Sequence, residues 1–248
     1  MIAAVRAEIL KQVTIRTWLT MLLTLLGLVV FAIVLHAVGL PRDMLSEPRN
    51  QLMVVGVGER LGTLFAALFG AVTVTAEFRH GTIRPTLLVA PRRSRLIAAK
   101  VAVSIVVGAA YGLAATAIGV GVGQWLLSTR DVTVSLASDQ VTALVLGGSV
   151  ASGLWAAIGV GVGAVVRNQV PALIGLSAWL LFVEGLLVEE NSTFLQYGQY
   201  GPGAAALAIS GMGGELLLPA GIALAVLIGY ALASSVIGAA VIARRDIA

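Results

Sequence analysis

Few residues in this chain of 248 could carry out covalent chemistry. There is no cysteine, which excludes disulfides, thiolate metal ligands and a cysteine nucleophile. The string Gly175-Leu176-Ser177-Ala178 has the look of an intramembrane serine nucleophile, which needs a histidine as general base. The two histidines are His36 and His80. The apolar pattern puts neither at the depth of Ser177, so a packed small residue is the expected role of that serine. Metal or lipid-transfer chemistry needs clustered His, Asp or Glu, and the acids here are dispersed. The sequence therefore predicts no catalytic residue and no metal site, and a membrane-embedded enzyme is the least supported class. Functional groups do concentrate in one segment, from Glu77 through Arg79, Arg84, Arg92, Arg93 and Arg95 to Lys100.

The elements that must position this segment are apolar. Hydrophobic residues make up 58% of the chain and charged residues 11%, where a globular domain is about a quarter charged; mean hydropathy is +0.99. No charge interrupts Thr17 to Pro41, Val101 to Thr129, Gln140 to Val166 or Leu216 to Ala243, and each run exceeds the ~20 residues that cross a bilayer. Leu61 to Ala76 and Asn168 to Val183 reach that length with their ends included. The predicted fold is an all-α integral membrane protein, a single transmembrane domain over 1–248. Its six spans lie at about 17–40, 59–77, 96–127, 140–166, 168–187 and 216–243.

Charge orients the spans. With both termini cytoplasmic, the inner segments hold 12 of the 16 Lys and Arg, and nine of the 12 acids fall outside, as the positive-inside rule expects of the cations. The net charge of +4 follows from this topology and implies the lipid bilayer, not nucleic acid, as partner. The external loop 188–215 contains an uncharged stretch too rich in Asn, Gln, Tyr and Gly to face lipid. A short re-entrant or interfacial helix is expected near Ala204 to Ile209. At the N-terminus Ile2, Val5, Ile9 and Val13 recur at helical spacing with Glu8 and Lys11 opposite. That pattern predicts either an amphipathic helix on the inner membrane surface or a cytoplasmic extension of the first span.

Within the spans Ala-Ile-Gly-Val-Gly-Val-Gly occurs at 117–123 and again at 157–163. Gly119 with Gly123, and Gly159 with Gly163, form GxxxG pairs that let helix backbones approach closely. Neither copy continues into the Gly-Lys-Ser/Thr of a phosphate-binding loop. Glu59-Arg60 and Glu184 sit near the outer span ends, where they can snorkel or pair. A deeper position would make either acid a substrate or proton site.

The segment 77–96 has an order that the positive-inside rule does not require. Glu77 closes the second span, and Gly81 permits a sharp turn. Thr82 can cap a short helix through Leu87, Leu88 and Val89, which Pro91 ends before Ser94-Arg95 opens the third span. A rigid short helix across this face suits mechanical coupling.

The pattern Glu77-x-Arg79-x-Gly81-Thr82, followed by Arg84, Pro91, Ser94-Arg95 and Lys100, resembles the cytoplasmic loop between spans two and three of ABC exporter permeases of the type 2 family. The six-span layout, Tyr200-Gly-Pro-Gly-Ala204 and the closing Arg244-Arg245-Asp246 are similar to that family over essentially the whole chain, though only 77–100 is specific. The resemblance implies a permease subunit of drug or antibiotic efflux type in a bacterial cytoplasmic membrane. Glu77, Arg79, Gly81, Thr82, Arg84, Pro91 and Arg95 would couple it to a separate ABC ATPase, present in two copies. ATP and Mg would be bound by that partner, with no cofactor in this chain, and a second permease copy or a paralogue would complete the dimer. Cargo would be amphipathic or lipophilic, since the polar residues on offer, such as Thr63, Thr73, Thr116, Ser149, Ser152 and Ser234, are mild. Without an ATPase partner the alternative is a secondary transporter or a membrane assembly factor.

Overall fold

Backbone donors and acceptors in lipid must be satisfied within the segment, and the chain meets this with helices throughout. The computed structural model describes residues 2–82, 93–188 and 194–244, and among these there is no strand. Helix α1 (Ile2–Ile15) is followed by α2 (Thr17–Gly39), α3 (Arg42–Leu45), α4 (Pro48–Val55) and α5 (Val57–Arg79). Next come α6 (Arg93–Thr129), α7 (Ser138–Val166) and α8 (Gln169–Ala178), the last continuing through a π-helical turn (Trp179–Val183) into α9 (Glu184–Leu187). Short helices α10 (Leu195–Gly198) and α11 (Pro202–Ile209) precede α12 (Ala220–Arg244). Six helices are long and apolar enough to cross a membrane.

The second of these begins at Pro48, ahead of the expected start near residue 59, because α4 runs into α5 with only Gly56 between them. Pro48 occupies the first turn, where its missing N–H costs nothing. Buried Gln51 fastens α4 to the segment after α6: its amide donates to Thr133 O (2.9 Å), and its carbonyl oxygen accepts from Ser135 N (2.9 Å).

Small residues decide which helices are central. In the most apolar stretch of each span, 61% of the second and 67% of the fourth is buried, against 22%, 17% and 22% for the first, fifth and sixth. Helices α5 and α7 therefore form the middle of the bundle. A Cβ placed on Gly159 would overlap Ala67 O, and one on Gly163 would stand 2.8 Å from Ala71 O. On α6, Gly119 faces Val55 O at 2.7 Å and Gly123 faces the Val55 side chain, while Gly121 meets nothing within 4 Å. Both glycine pairs thus pack on the same span, the α4–α5 helix. Trp155 of α7 is buried and its indole N–H donates to Pro202 O (3.3 Å), which seats α11 against the bundle. The short helix expected near Ala204 to Ile209 is thus α11, and its residues 202–206 are buried against protein.

Candidate functional site

Three consecutive residues at the end of α5 reach three different parts of the molecule. Successive side chains on a helix diverge by about 100°, so Glu77, Phe78 and Arg79 fan outward from one turn. Glu77 turns inward and accepts from Lys11 Nζ (2.7 Å) and Lys100 Nζ (2.8 Å). The Phe78 ring lies 5.5 Å below the Arg167 guanidinium, a cation–π distance. Arg167 also donates to Val241 O in the last turns of α12 (2.9 Å). Arg79 donates to Gln169 at the start of α8 (3.3 Å). Directly after this turn the chain passes through Gly81 at φ +68, a left-handed conformation that glycine adopts without Cβ strain.

The inward branch is a charge cluster of two acids and two bases. Lys100 is 2% exposed. Its three N–H groups are all used, by Glu8 Oε2 (2.9 Å), Glu77 Oε1 (2.8 Å) and Thr73 O (3.0 Å). Lys11 bridges Glu8 (2.9 Å) and Glu77 (2.7 Å) from its own side. Helices α1, α5 and α6 are joined at this point. Charges so removed from water need pairing; two bases balance two acids here, with Glu77 Oε2 the one carboxylate oxygen of the cluster that has no hydrogen-bond partner.

This arrangement fixes which way the charged side of α1 faces, a point the sequence left open. The helix exists, but Glu8 is 2% exposed while Ile9, Leu10, Val13 and Ile15 are exposed. Its charged side faces protein because Lys100 and Glu77 offer Glu8 and Lys11 better partners than water does. Glu77 differs from its expected place on an outer contact surface: it is 7% exposed, and both lysines bond to its Oε1. Gly81, Thr82, Arg79 and Arg95 are exposed. Arg84, Pro91 and the expected helix through 87–89 lie outside the described residues. Arg167, read from the sequence as an ordinary cation of a short loop, instead ties α5, α7 and α12 together. It sits at φ 59 between α7 and α8, where the backbone turns back.

Sequence reasoning passed over Glu8 and Lys11 as site residues. A signal for them exists: the chain has 14 arginines and only two lysines, Lys11 and Lys100, and both are in this cluster. An ammonium with three freely directed donors suits a compact site shared by several acceptors, whereas a planar guanidinium does not.

Burial lowers the affinity of Lys11 for its proton, but hydrogen bonds and charge from Glu77 and Glu8 outweigh it and raise the pKa above the ordinary 10.5. A raised pKa stabilises the fold fully below the ordinary lysine value, and that contribution is lost as pH climbs through the raised one. Thermal stability in detergent should therefore hold through pH 10 and fall above 10.5, with Lys11→Met removing the Lys11 part of the alkaline limb. An unchanged limb in that variant would contradict the assignment.

Six long apolar helices in an all-helical fold define a multi-pass membrane protein. Set against known proteins, the chain matches no protein-family model and no curated protein.

Proposed function

We propose that the chain is the membrane-spanning permease subunit of an ATP-driven exporter of the type 2 ABC family, moving an amphipathic or lipophilic cargo outward. The single observation that carries this reading is the fan of Glu77, Phe78 and Arg79 immediately before the basic loop. A force applied to that loop by a cytoplasmic ATPase would enter α5 at a turn linked to α1, α6, α7, α8 and α12. Because α5 and α7 are the buried centre, the displacement would be shared by the bundle. Coupling through a rigid packed path is what a power stroke needs. The sequence resemblance of 77–100 supports the same class.

In this scheme Gly81, Thr82 and Arg95, with Arg84 and Pro91, contact the ATPase, and Glu77 transmits from within. The apolar outer faces of α2, the α8–α9 helix and α12 are available to lipid and to a second permease. ATP and Mg belong to the partner, and the bundle stands in a bacterial cytoplasmic membrane with the basic end inside.

The test uses inverted vesicles that hold the chain with its ATPase. Gly81→Val forces a β-branched residue into a left-handed conformation, and Thr82→Arg alters the exposed contact. Together these should cut ATP-dependent cargo uptake about tenfold or more while basal hydrolysis persists, and the purified chain alone should bind no ATP. Wild-type uptake in the double variant would refute the coupling role.

A further inference from the structure

At the end of the bundle opposite the charge cluster, a cavity of about 230 Å³ lies between α5, the α8–α9 helix and α11. Its wall includes Glu59, Thr63, Leu180, Glu184, Ala204 and Leu207. The two carboxylates in it are in opposite conditions. Glu184 is saturated: Oε1 accepts from the Trp179 indole (2.6 Å) and from Gly203 N (2.8 Å), and Oε2 from Ala204 N (3.2 Å). It serves as the N-terminal cap of α11.

Glu59 has almost nothing. It is 1% exposed, Oε1 accepts only the long Thr63 hydroxyl contact (3.3 Å), and Oε2 has no hydrogen-bond partner. Its neighbour Arg60 is exposed and makes no ion pair among the described residues, because adjacent helix side chains diverge. Close packing holds the carboxylate in place: a Cβ on Gly148 would stand 3.2 Å from Glu59 Cγ, so α7 gives it no room to retreat. A buried acid whose only nearby positive charge, Arg60, makes no direct contact with it is costly, and in a membrane protein it marks a site.

We propose that this cavity binds the ammonium group of an organic cation, with Glu59 as its counter-ion and the Leu180, Ala204 and Leu207 side holding the apolar substituents. A hard divalent cation would need six or more oxygen ligands, and no cluster of metal-binding side chains occurs among the described residues. One free carboxylate in an apolar wall fits a single positive charge on a lipophilic body. Arg60 at the rim opposes the cation and sets a preference for a charge carried deep in the cavity. Calling this cation the cargo rests on the exporter reading above, but its binding does not.

The test is made on the purified chain in detergent with no ATPase present. Benzyltrimethylammonium, whose charge does not titrate, is the probe, and binding is read by saturation-transfer NMR. Saturable binding is expected, weakened at least about tenfold in Glu59→Gln and retained in Glu59→Asp. A second measurement needs no substitution: a hydrophobic carbodiimide should modify Glu59 of the wild type, located by mass spectrometry, and saturating probe should slow that modification. No saturable binding, equal binding by wild type and Glu59→Gln, or labelling of Glu59 indifferent to the probe each overturns the site and leaves Glu59 as a carboxyl holding its own proton. Binding with the expected Glu59 dependence in a chain that transports nothing with any ATPase would uphold the cavity and remove the exporter function.

Discussion

Lys100→Met is expected to lose about 3–5 kcal/mol of stability, enough to abolish monodisperse protein in detergent. The substitution keeps the volume of the stem and deletes three hydrogen bonds, to Glu8, Glu77 and Thr73 O. What remains is one half-exposed lysine against two buried acids. The loss comes from that stranded charge more than from the missing bonds, so the double variant Lys100→Met/Glu77→Gln, which restores neutrality, should recover a measurable part of it. Lys100→Arg should not substitute, because the side chain is 1% exposed and a guanidinium fork needs more room. A Lys100→Met protein that melts with the wild type would show that the cluster is ornamental.

Gly159→Leu should be comparably severe for a reason unrelated to charge. Any Cβ at this position overlaps the carbonyl oxygen of Ala67. Backbone on the neighbouring helix cannot rotate away as a side chain can, so α5 and α7 would have to separate. Overpacking of this kind costs about 1–3 kcal/mol or more, and here it falls on the two most buried spans. Gly119→Leu, against Val55 O at 2.7 Å, should rank next, and Gly123→Leu lower, since the Val55 side chain it meets can shift. Gly121→Leu has nothing within 4 Å and should behave as wild type. Folded yield by size-exclusion chromatography would establish the order, and equal losses at 121 and 159 would remove the close-packing account.

The number of spans was legible in the sequence because charge-free runs of spanning length have few other uses. The start of the second span was not, because Glu59 reads as an interface residue and only the small side chains of α6 and α7 around it allow an acid to be buried there. The π-helical turn in the fifth span left no mark of its own either. It matters because a π turn places residues five apart on one face, and Trp179 and Glu184 are five apart and hydrogen-bonded. The basic loop announced itself by order and charge. The inward role of Glu77 did not, since its partners come from residues 8, 11 and 100, which are brought together by α1 folding back across the bundle.

The cluster that holds α1 divides into two electrically complete halves. Glu8 and Lys11 are paired with each other three residues apart on α1, and Glu77 and Lys100 are paired across α5 and α6. Lifting α1 away would break the contacts between the halves, yet it would strand no ion, because each half leaves as a neutral couple. A first helix anchored in this way is reversible where one held by a lone cross-pair would not be. Its detachment would uncover Glu77 and Lys100 without changing the charge of either piece.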